Sequence, residues 1–210
     1  MPAKGEHAAM DLDSLLDAAE TVVARHGIGS LTLDAVAAEA HVSKGGLLHH
    51  FSTKDRLVEA LVRRCADDWR ARCSSAYDET PAGPGRMARA LVGMCLGDDE
   101  LWTEQLRRSS SAVFAALAQN PALIEPMRVV YAEIHQRIAV DGLPPGVGEA
   151  AVLTMDGLWL NWVLGLVPID AAMKARLHQA LAAVLGTPAR PRATRTVTGV
   201  AAKRAGGRAR

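Results

Sequence analysis

Between Thr32 and Leu57 the sequence places two short helical patterns on either side of a three-residue connection. Thr32 and Ser43 are both residues that favour helix N-caps, and each precedes a run with apolar residues at helical spacing. His41, Val42 and Ser43 join the two runs and leave room only for a turn. Two short helices joined in this way form a helix-turn-helix, a unit whose second helix can enter a DNA groove.

The second of these predicted helices presents small and polar residues on the side that its apolar positions leave exposed. Leu47 and Phe51 lie four residues apart and predict its buried side. The DNA major groove is about 12 Å wide, and hydroxyl and ammonium groups can meet base edges or phosphates there. Gly45 and Gly46 let the backbone approach DNA closely, although each costs about 1 kcal/mol of helix propensity. The residues that this helix offers to DNA are Ser43, Lys44, Gly45, Gly46, His49 and His50.

The remainder of the chain also carries apolar residues at helical spacing. Aromatic residues make up only 4% of the sequence, and strand-like alternation is hard to find. We therefore expect an all-α fold, with an N-terminal three-helix helix-turn-helix domain ahead of a larger helical domain. Outside the helix-turn-helix, helices are predicted over residues 12–26, from Ser52 onward, and over 86–96, 100–119, 121–140, 147–167 and 170–185.

Two capping patterns predict where helices begin. Ser52 precedes the acidic residue Asp55 by three positions, which is the spacing of a capping box, so a long helix is expected to start at Ser52. Lys54 then lies at the start of that helix, where its charge and the helix N-terminus both favour an anion. Asp170 follows Pro168 and is expected to open the last helix.

Charge divides the chain into a body and a tail. The whole chain sums to +1, but residues 187–210 hold seven basic residues and no acidic one. The preceding residues keep 17 basic against 23 acidic side chains. We expect a basic, disordered tail that either strengthens DNA binding or acts as a solubilising terminus. The predicted boundaries are 1–64 for the helix-turn-helix domain, 65–186 for the larger helical domain and 187–210 for the tail.

Several classes of protein are disfavoured. No uninterrupted apolar run reaches the roughly 18 to 20 residues that span a bilayer, and residues 1–10 lack the apolar stretch of a signal peptide. The three cysteines are odd in number and lack metal-ligand spacing, so we expect buried thiols in a reduced, cytoplasmic setting, without a metal or a cofactor. No arrangement of nucleophile and base stands out, so an enzyme is disfavoured.

Residues from Leu12 to Val62 resemble the DNA-binding domain of the tetracycline-repressor (TetR) family. The matching segments are GIGSLT at 27–32, VAAEAHVS at 36–43 and KGGLLHHF at 44–51, followed by Lys54 and Leu57. The resemblance implies that Thr32 and Lys54 contact phosphate and that His49 and His50 touch phosphate and sometimes bases. It also implies that four residues face the major groove, namely Ser43, Lys44, Gly45 and Gly46.

One position departs from the family pattern. Leu48 stands where many members carry tyrosine; we interpret it as a core residue and do not assign it to DNA. With glycine at 45 and 46, few side chains remain for direct base readout, so part of the specificity is expected from DNA shape. Residues 1–64 hold seven basic against nine acidic side chains, so binding must depend on a few well-placed cations. Those cations are Lys44 and Lys54, with Arg25 and Arg56 as further candidates.

In this family the larger domain encloses a cavity for a small molecule, and the resemblance implies a small, mostly apolar effector. Asp156 and Asn161 would orient such a ligand, although Asn161 could equally make a hydrogen bond between helices. The apolar residues expected to line this cavity are Trp102, Phe114, Met127, Tyr131, Met155, Trp159 and Trp162. Each of them could instead belong to the packed core of the domain or to a dimer contact.

The helices at 147–167 and 170–185 are too apolar for full exposure to water. The family forms its homodimer through a four-helix bundle in this region, and Gly157 and Gly165 would allow close helix approach. The alternative is a wholly intramolecular core. A two-fold dimer would also suit a palindromic operator, whose half-sites lie about one helical turn or a multiple apart.

Together these features predict a homodimeric transcriptional regulator that binds double-stranded operator DNA, most simply a repressor released by its ligand. Two alternatives are also compatible with the sequence. One is a DNA-binding protein without an effector, and the other is a small-molecule-binding enzyme on a helical fold.

Overall fold

The computed structural model describes residues 11–97 and 101–186, and this part of the chain is built from α-helices and short 3₁₀ segments. The predicted basic tail lies outside the described residues. In chain order the helices are α1 (Leu12–His26), α2 (Leu33–Glu39), α3 (Lys44–His50), α4 (Lys54–Glu79), α5 (Arg86–Gly97), α6 (Glu104–Gln119), α7 (Glu125–Ala139), α8 (Val147–Val163) and α9 (Ala171–Val184). The prediction of an all-α fold with an N-terminal helix-turn-helix is confirmed.

The N-terminal unit packs α1, α2, α3 and the first turns of α4 around one apolar core. Leu47 and Phe51, the predicted buried side of α3, are nearly inaccessible, and Leu57 of α4 packs into the same cluster. Each short helix begins at a side-chain cap as predicted. The hydroxyl of Thr32 accepts a hydrogen bond from the Ala35 amide at 3.1 Å.

The larger unit surrounds α4, whose 26 residues run from the helix-turn-helix deep into the second domain. Helices α5, α6 and α7 pack against α4, and α8 and α9 pack against α5. The loop after α7 is tied to α5, because the Asp141 carboxylate accepts from the amides of Met87 and Ala88 at 2.8 and 3.2 Å. Helix α4 is continuous at residues 64 and 65, so the domain boundary placed there stays a prediction.

Small residues set how closely some of these helices approach. At Gly148, at the start of α8, an added Cβ would lie 2.5 Å from a methyl carbon of Ile138 on α7. The two helices therefore meet at a distance that only glycine permits. Cys65, Cys73 and Cys95 are buried free thiols in these cores, as predicted, and burial raises the pKa of Cys65 and of Cys73 to about 12.

Several local predictions were wrong. The cap of α4 is Thr53, whose hydroxyl accepts from the Arg56 amide at 3.2 Å, because the helix begins at Lys54. Leu48 is 38% exposed and is not a core residue, because α3 turns its neighbour Leu47 inward instead. Some predicted helix limits also shift: α6 begins at Glu104, α8 ends at Val163, and the segment Pro121–Ile124 is a separate 3₁₀ turn before α7.

Across residues 11–97 and 101–186, no helix is both long and apolar enough to cross a bilayer. The same residues contain no cluster of histidine, cysteine and acidic side chains that could hold a metal ion.

Candidate DNA interface and ligand cavity

The start of α3 forms an exposed surface of small and polar groups. Ser43 caps the helix by accepting a hydrogen bond from the Gly46 amide at 3.0 Å, which leaves its hydroxyl proton free to donate outward. Lys44 beside it pairs with Asp34 of α2, with 2.8 Å between Nζ and Oδ1. Both of these side chains are well exposed, so the pair contributes less than about 1 kcal/mol and can open towards a phosphate.

The two glycines of α3 differ in what surrounds them. A Cβ added at Gly45 would meet nothing closer than Ser43 Oγ at 4.0 Å, whereas one at Gly46 would lie 3.3 Å from that atom. Gly45 is therefore not required by the packing of the protein itself. An open surface kept free of a side chain at a helix position suits close approach by another molecule.

The remaining predicted DNA contacts lie on the same helix-turn-helix. Thr32 is exposed at the start of α2, and His49 and His50 are exposed at the end of α3. Lys54 is the first residue of α4 and is half-buried.

Two further cations of this unit also make local ion pairs. Arg25 of α1 bonds Glu39 of α2 at 3.1 Å, and Arg56 of α4 bonds Glu59 at 3.0 Å. Both arginines are well exposed, so these pairs are as weak as the Lys44 pair, whereas the described residues show no ion pair for Lys54.

A cavity of about 650 Å³ lies between α4, α6, α7 and α8, with α1 at its edge. Its walls include five of the seven predicted ligand-pocket residues: Trp102, Met127, Tyr131, Met155 and Trp159. The other two lie behind these walls. Phe114 stacks on Trp159 with 5.8 Å between ring centroids, and Trp162 packs edge-on against Trp102 at 5.2 Å.

Two tryptophan indoles of the cavity wall donate hydrogen bonds within the protein. The Trp159 indole donates to Ser110 Oγ at 3.0 Å, and the Trp102 indole donates to the Cys95 carbonyl at 2.7 Å. Asn161 is not among the residues that line the cavity, and its amide donates to the Gly157 carbonyl one turn earlier. Among the described residues Asn161 therefore shows a bond within α8, and its predicted bond between helices stays a prediction.

Asp156 is the half-buried carboxylate of the cavity wall. The Tyr131 hydroxyl donates to its Oδ1 at 2.6 Å, and this bond joins α7 to α8. Burial raises the pKa of Asp156, while the Tyr131 hydrogen bond and the nearby His135 oppose that shift. Burial also raises the pKa of Tyr131, so the phenol stays protonated and acts as the donor.

A buried ion pair at the edge of the cavity was not anticipated from the sequence. Glu20 of α1 is only 3% exposed, and its Oε1 lies 2.6 Å from Nη2 of Arg64 on α4. Its other oxygen accepts from Ser109 at 3.1 Å and from Gln105 at 3.2 Å, and both of these residues lie on α6. Arg64 also bonds Asp17 at 2.8 Å. The network joins the DNA-binding unit to the cavity wall.

An apolar stripe runs along the outer side of α8. Leu153, Leu160 and Leu164 are exposed at spacings of seven and four residues, and Gly157 lies in the same row with open space above it. Leu166 in the following loop and Val184 of α9 are exposed as well. The described part of the chain thus leaves this surface uncovered, and a surface of this kind is typical of a protein–protein contact.

Comparison with known proteins decides the family. Residues 15–61 match the family model described as bacterial regulatory proteins of the TetR family, and residues 85–186 match a tetracyclin repressor-like C-terminal domain. The chain belongs to the TetR family. TetR-family proteins are DNA-binding transcriptional regulators and not enzymes, and the helix-turn-helix of α2 and α3 is the part of this chain that carries that function.

Individual TetR-family relatives align over most of the chain. The transcriptional regulator BetI of Burkholderia mallei (strain NCTC 10229) is 27% identical over 169 residues, covering 76% of this chain and 86% of BetI. A TetR-family structure from Streptomyces coelicolor A3 is 30% identical, with a TM-score of 0.57 over 80% of this chain and 96% of the other. The multidrug binding protein EbrR, in complex with malachite green, is 29% identical, with a TM-score of 0.61 over 82% and 96%.

Proposed function

We propose that this TetR-family regulator is a homodimeric repressor whose α3 helices enter successive major grooves of a palindromic operator. A small molecule in the cavity then releases it from DNA. The observation that carries the DNA proposal is the exposed surface at the start of α3, where Ser43, Lys44 and Gly45 combine donors with open space. Thr32, Gly46, His49, His50 and Lys54 complete the proposed contact set.

Dimerisation is proposed through the apolar stripe of α8 together with α9. Leu153, Leu160 and Leu164 are exposed in one chain, and Gly157 beside them would let a second helix approach closely. A two-fold dimer presents two copies of α3, which matches the symmetry of a palindromic site.

The cavity is proposed as the effector site because it has the volume of a small-molecule pocket and walls that are mostly apolar. EbrR has been solved with malachite green and also with ethidium, which supports a small-molecule ligand for this related chain. A DNA-binding protein without an effector would have no need of such a cavity, so this alternative is disfavoured.

The route from ligand to DNA is proposed to run through α6, α4 and α1. The side chains of Ser109 and Gln105 project from α6 at the cavity wall and donate hydrogen bonds to Glu20 of α1. Arg64 of α4 forms an ion pair with the same carboxylate. A ligand that binds better to a state in which α6 has shifted would move α1 with it. The shift in population can be no larger than the difference in the ligand's affinity for the two states.

The variant Gly45→Ala separates folding from DNA binding. Alanine is the better helix former and the site has room for a methyl group, so we expect unfolding to require about 0.5–1 kcal/mol more free energy. The same methyl group lies between α3 and the groove, so affinity for the operator should fall by about tenfold, or about 1.4 kcal/mol. Urea denaturation and fluorescence anisotropy with a labelled operator measure the two effects.

Gly93→Ala is the matched control for this test. Gly93 is exposed in α5 and also has open space around it, so alanine there should stabilise the protein and leave operator binding unchanged. Equal operator affinity for the two variants would mean that the start of α3 does not face DNA.

A further inference from the structure

The carboxylates around the cavity outweigh the cations that are free to balance them. Asp13, Asp17 and Asp68 lie at its exposed edge, and Asp156 lies within its wall. Arg64, the half-buried cation of the wall, is already bonded to Glu20 and Asp17.

The other two arginines that line the cavity lie at its exposed rim. Arg128 is bonded to Glu125 outside the cavity, and Arg72 is an exposed residue of α4, one turn beyond Asp68. Neither is bonded to Asp156, whose hydrogen-bond partner is the uncharged phenol of Tyr131 and whose nearby basic side chain is His135 of α7. A carboxylate held in this way inside a cavity repels anions and attracts a cation.

The apolar part of the wall has the chemistry that accommodates an organic cation. Trp69, Trp102, Trp159 and Tyr131 all line the cavity. Aromatic faces attract cations through their quadrupole, and the attraction grows when the cation is shielded from water. An inorganic cation would instead need several oxygen ligands, which these rings do not supply.

We propose that the cavity binds a hydrophobic organic monocation, such as a substituted ammonium or a delocalised aromatic cation, with its charge near Asp156 and its apolar groups against the tryptophans. The exposed acid Asp68, for which the described residues show no ion pair, raises the local concentration of such a cation at the entrance. This inference deepens the proposed function, since it names the chemical class of the effector for the same cavity.

The test uses two ions of matched size and shape and opposite charge, tetraphenylphosphonium and tetraphenylborate. Their affinities for the full chain are measured by isothermal titration calorimetry, with quenching of tryptophan fluorescence as a second readout. The cation is expected to bind at least about tenfold more tightly than the anion. Equal affinities, tighter binding of the borate or binding of neither ion would overturn the proposal.

The variant Asp156→Asn tests where the charge lies. Asparagine keeps an oxygen that can accept from the Tyr131 hydroxyl, so the link between α7 and α8 is retained while the charge is lost. Affinity for the phosphonium should fall by about tenfold, and affinity for the borate should stay equal or rise. Glu149→Gln, an exposed residue of the same helix with the same change in charge, should leave both affinities unchanged. Equal effects of the two variants would contradict the assignment to Asp156.

Operator binding separates this inference from the proposed function. If phosphonium binds in an Asp156-dependent way but leaves the operator complex intact, the preference for cations stands and the release mechanism fails. If the borate binds more tightly and releases DNA, the cavity remains the effector site and the preference for cations is wrong.

Discussion

Replacing Arg64 with methionine is expected to lower the free energy of unfolding by about 3 kcal/mol, because Glu20 is then left as a buried charge without its cation. Ser109 and Gln105 still donate to the carboxylate, but neither supplies a compensating charge. The loss is measured by urea denaturation at a fixed protein concentration, so that any dimerisation contributes equally to each variant.

Two companion variants make this test specific. Arg63→Met removes the neighbouring exposed charge on α4, whose partner Glu59 keeps its ion pair with Arg56, so it should cost less than about 1 kcal/mol. Adding Glu20→Gln to Arg64→Met should recover part of the loss, because the unpaired charge disappears. Equal losses for Arg63→Met and Arg64→Met would show that the Glu20 pair does not hold α1, α4 and α6 together.

Replacing Leu153 with glutamate is expected to convert the proposed dimer to monomers without unfolding the chain. Leu153 is 65% exposed in one chain, so a charged group is tolerated there before assembly. In a two-fold interface the substitution occurs twice and places unpaired carboxylates in the contact, so the dimer dissociation constant should rise by at least about a hundredfold. Sedimentation velocity over a range of concentrations measures this change.

Val140→Glu is the matched control for the dimer test. Val140 is 83% exposed and lies at the end of α7, away from the stripe on α8, so the variant should remain a dimer. Operator affinity should fall together with dimerisation for Leu153→Glu and stay unchanged for Val140→Glu. A Leu153→Glu protein that still sediments as the wild type does would place the dimer contact elsewhere.

Local patterns predicted the helix-turn-helix well, because its elements depend on neighbouring residues. The hydroxyls of Thr32 and Ser43 are helix caps that act over three residues, and Leu47 and Phe51 are paired by helical spacing alone. The capping pattern predicted the wrong residue at the start of α4, where two adjacent residues are equally suitable as N-caps. Ser52 and Thr53 can both cap a helix, and the choice of Thr53 follows from where α4 begins.

Which residues line the cavity depends on tertiary packing, which the spacing of apolar residues along the sequence does not encode. Phe114 and Trp162 have the same apolar character as Trp159 and Trp102, and only the packing of α6, α8 and the segment before α6 decides which of the four rings line the cavity. Glu20 and Arg64 are far apart in the chain, so their ion pair could not be read from spacing. One signal was available, since Glu20 falls on the apolar stripe of α1, one turn after Leu16.

If α3 of each protomer reads one half of a palindromic operator, the protein should select that operator from a mixture of sequences. The most direct test is selection of DNA from a fragmented genomic pool by the full-length protein, followed by sequencing. The expected result is enrichment of one inverted repeat whose half-site centres lie about 34–36 Å apart or at a multiple of that distance. Lys54→Ala should retain less DNA of every sequence. Recovery of no common sequence, or equal recovery by the wild type and by Lys54→Ala, would contradict the claim.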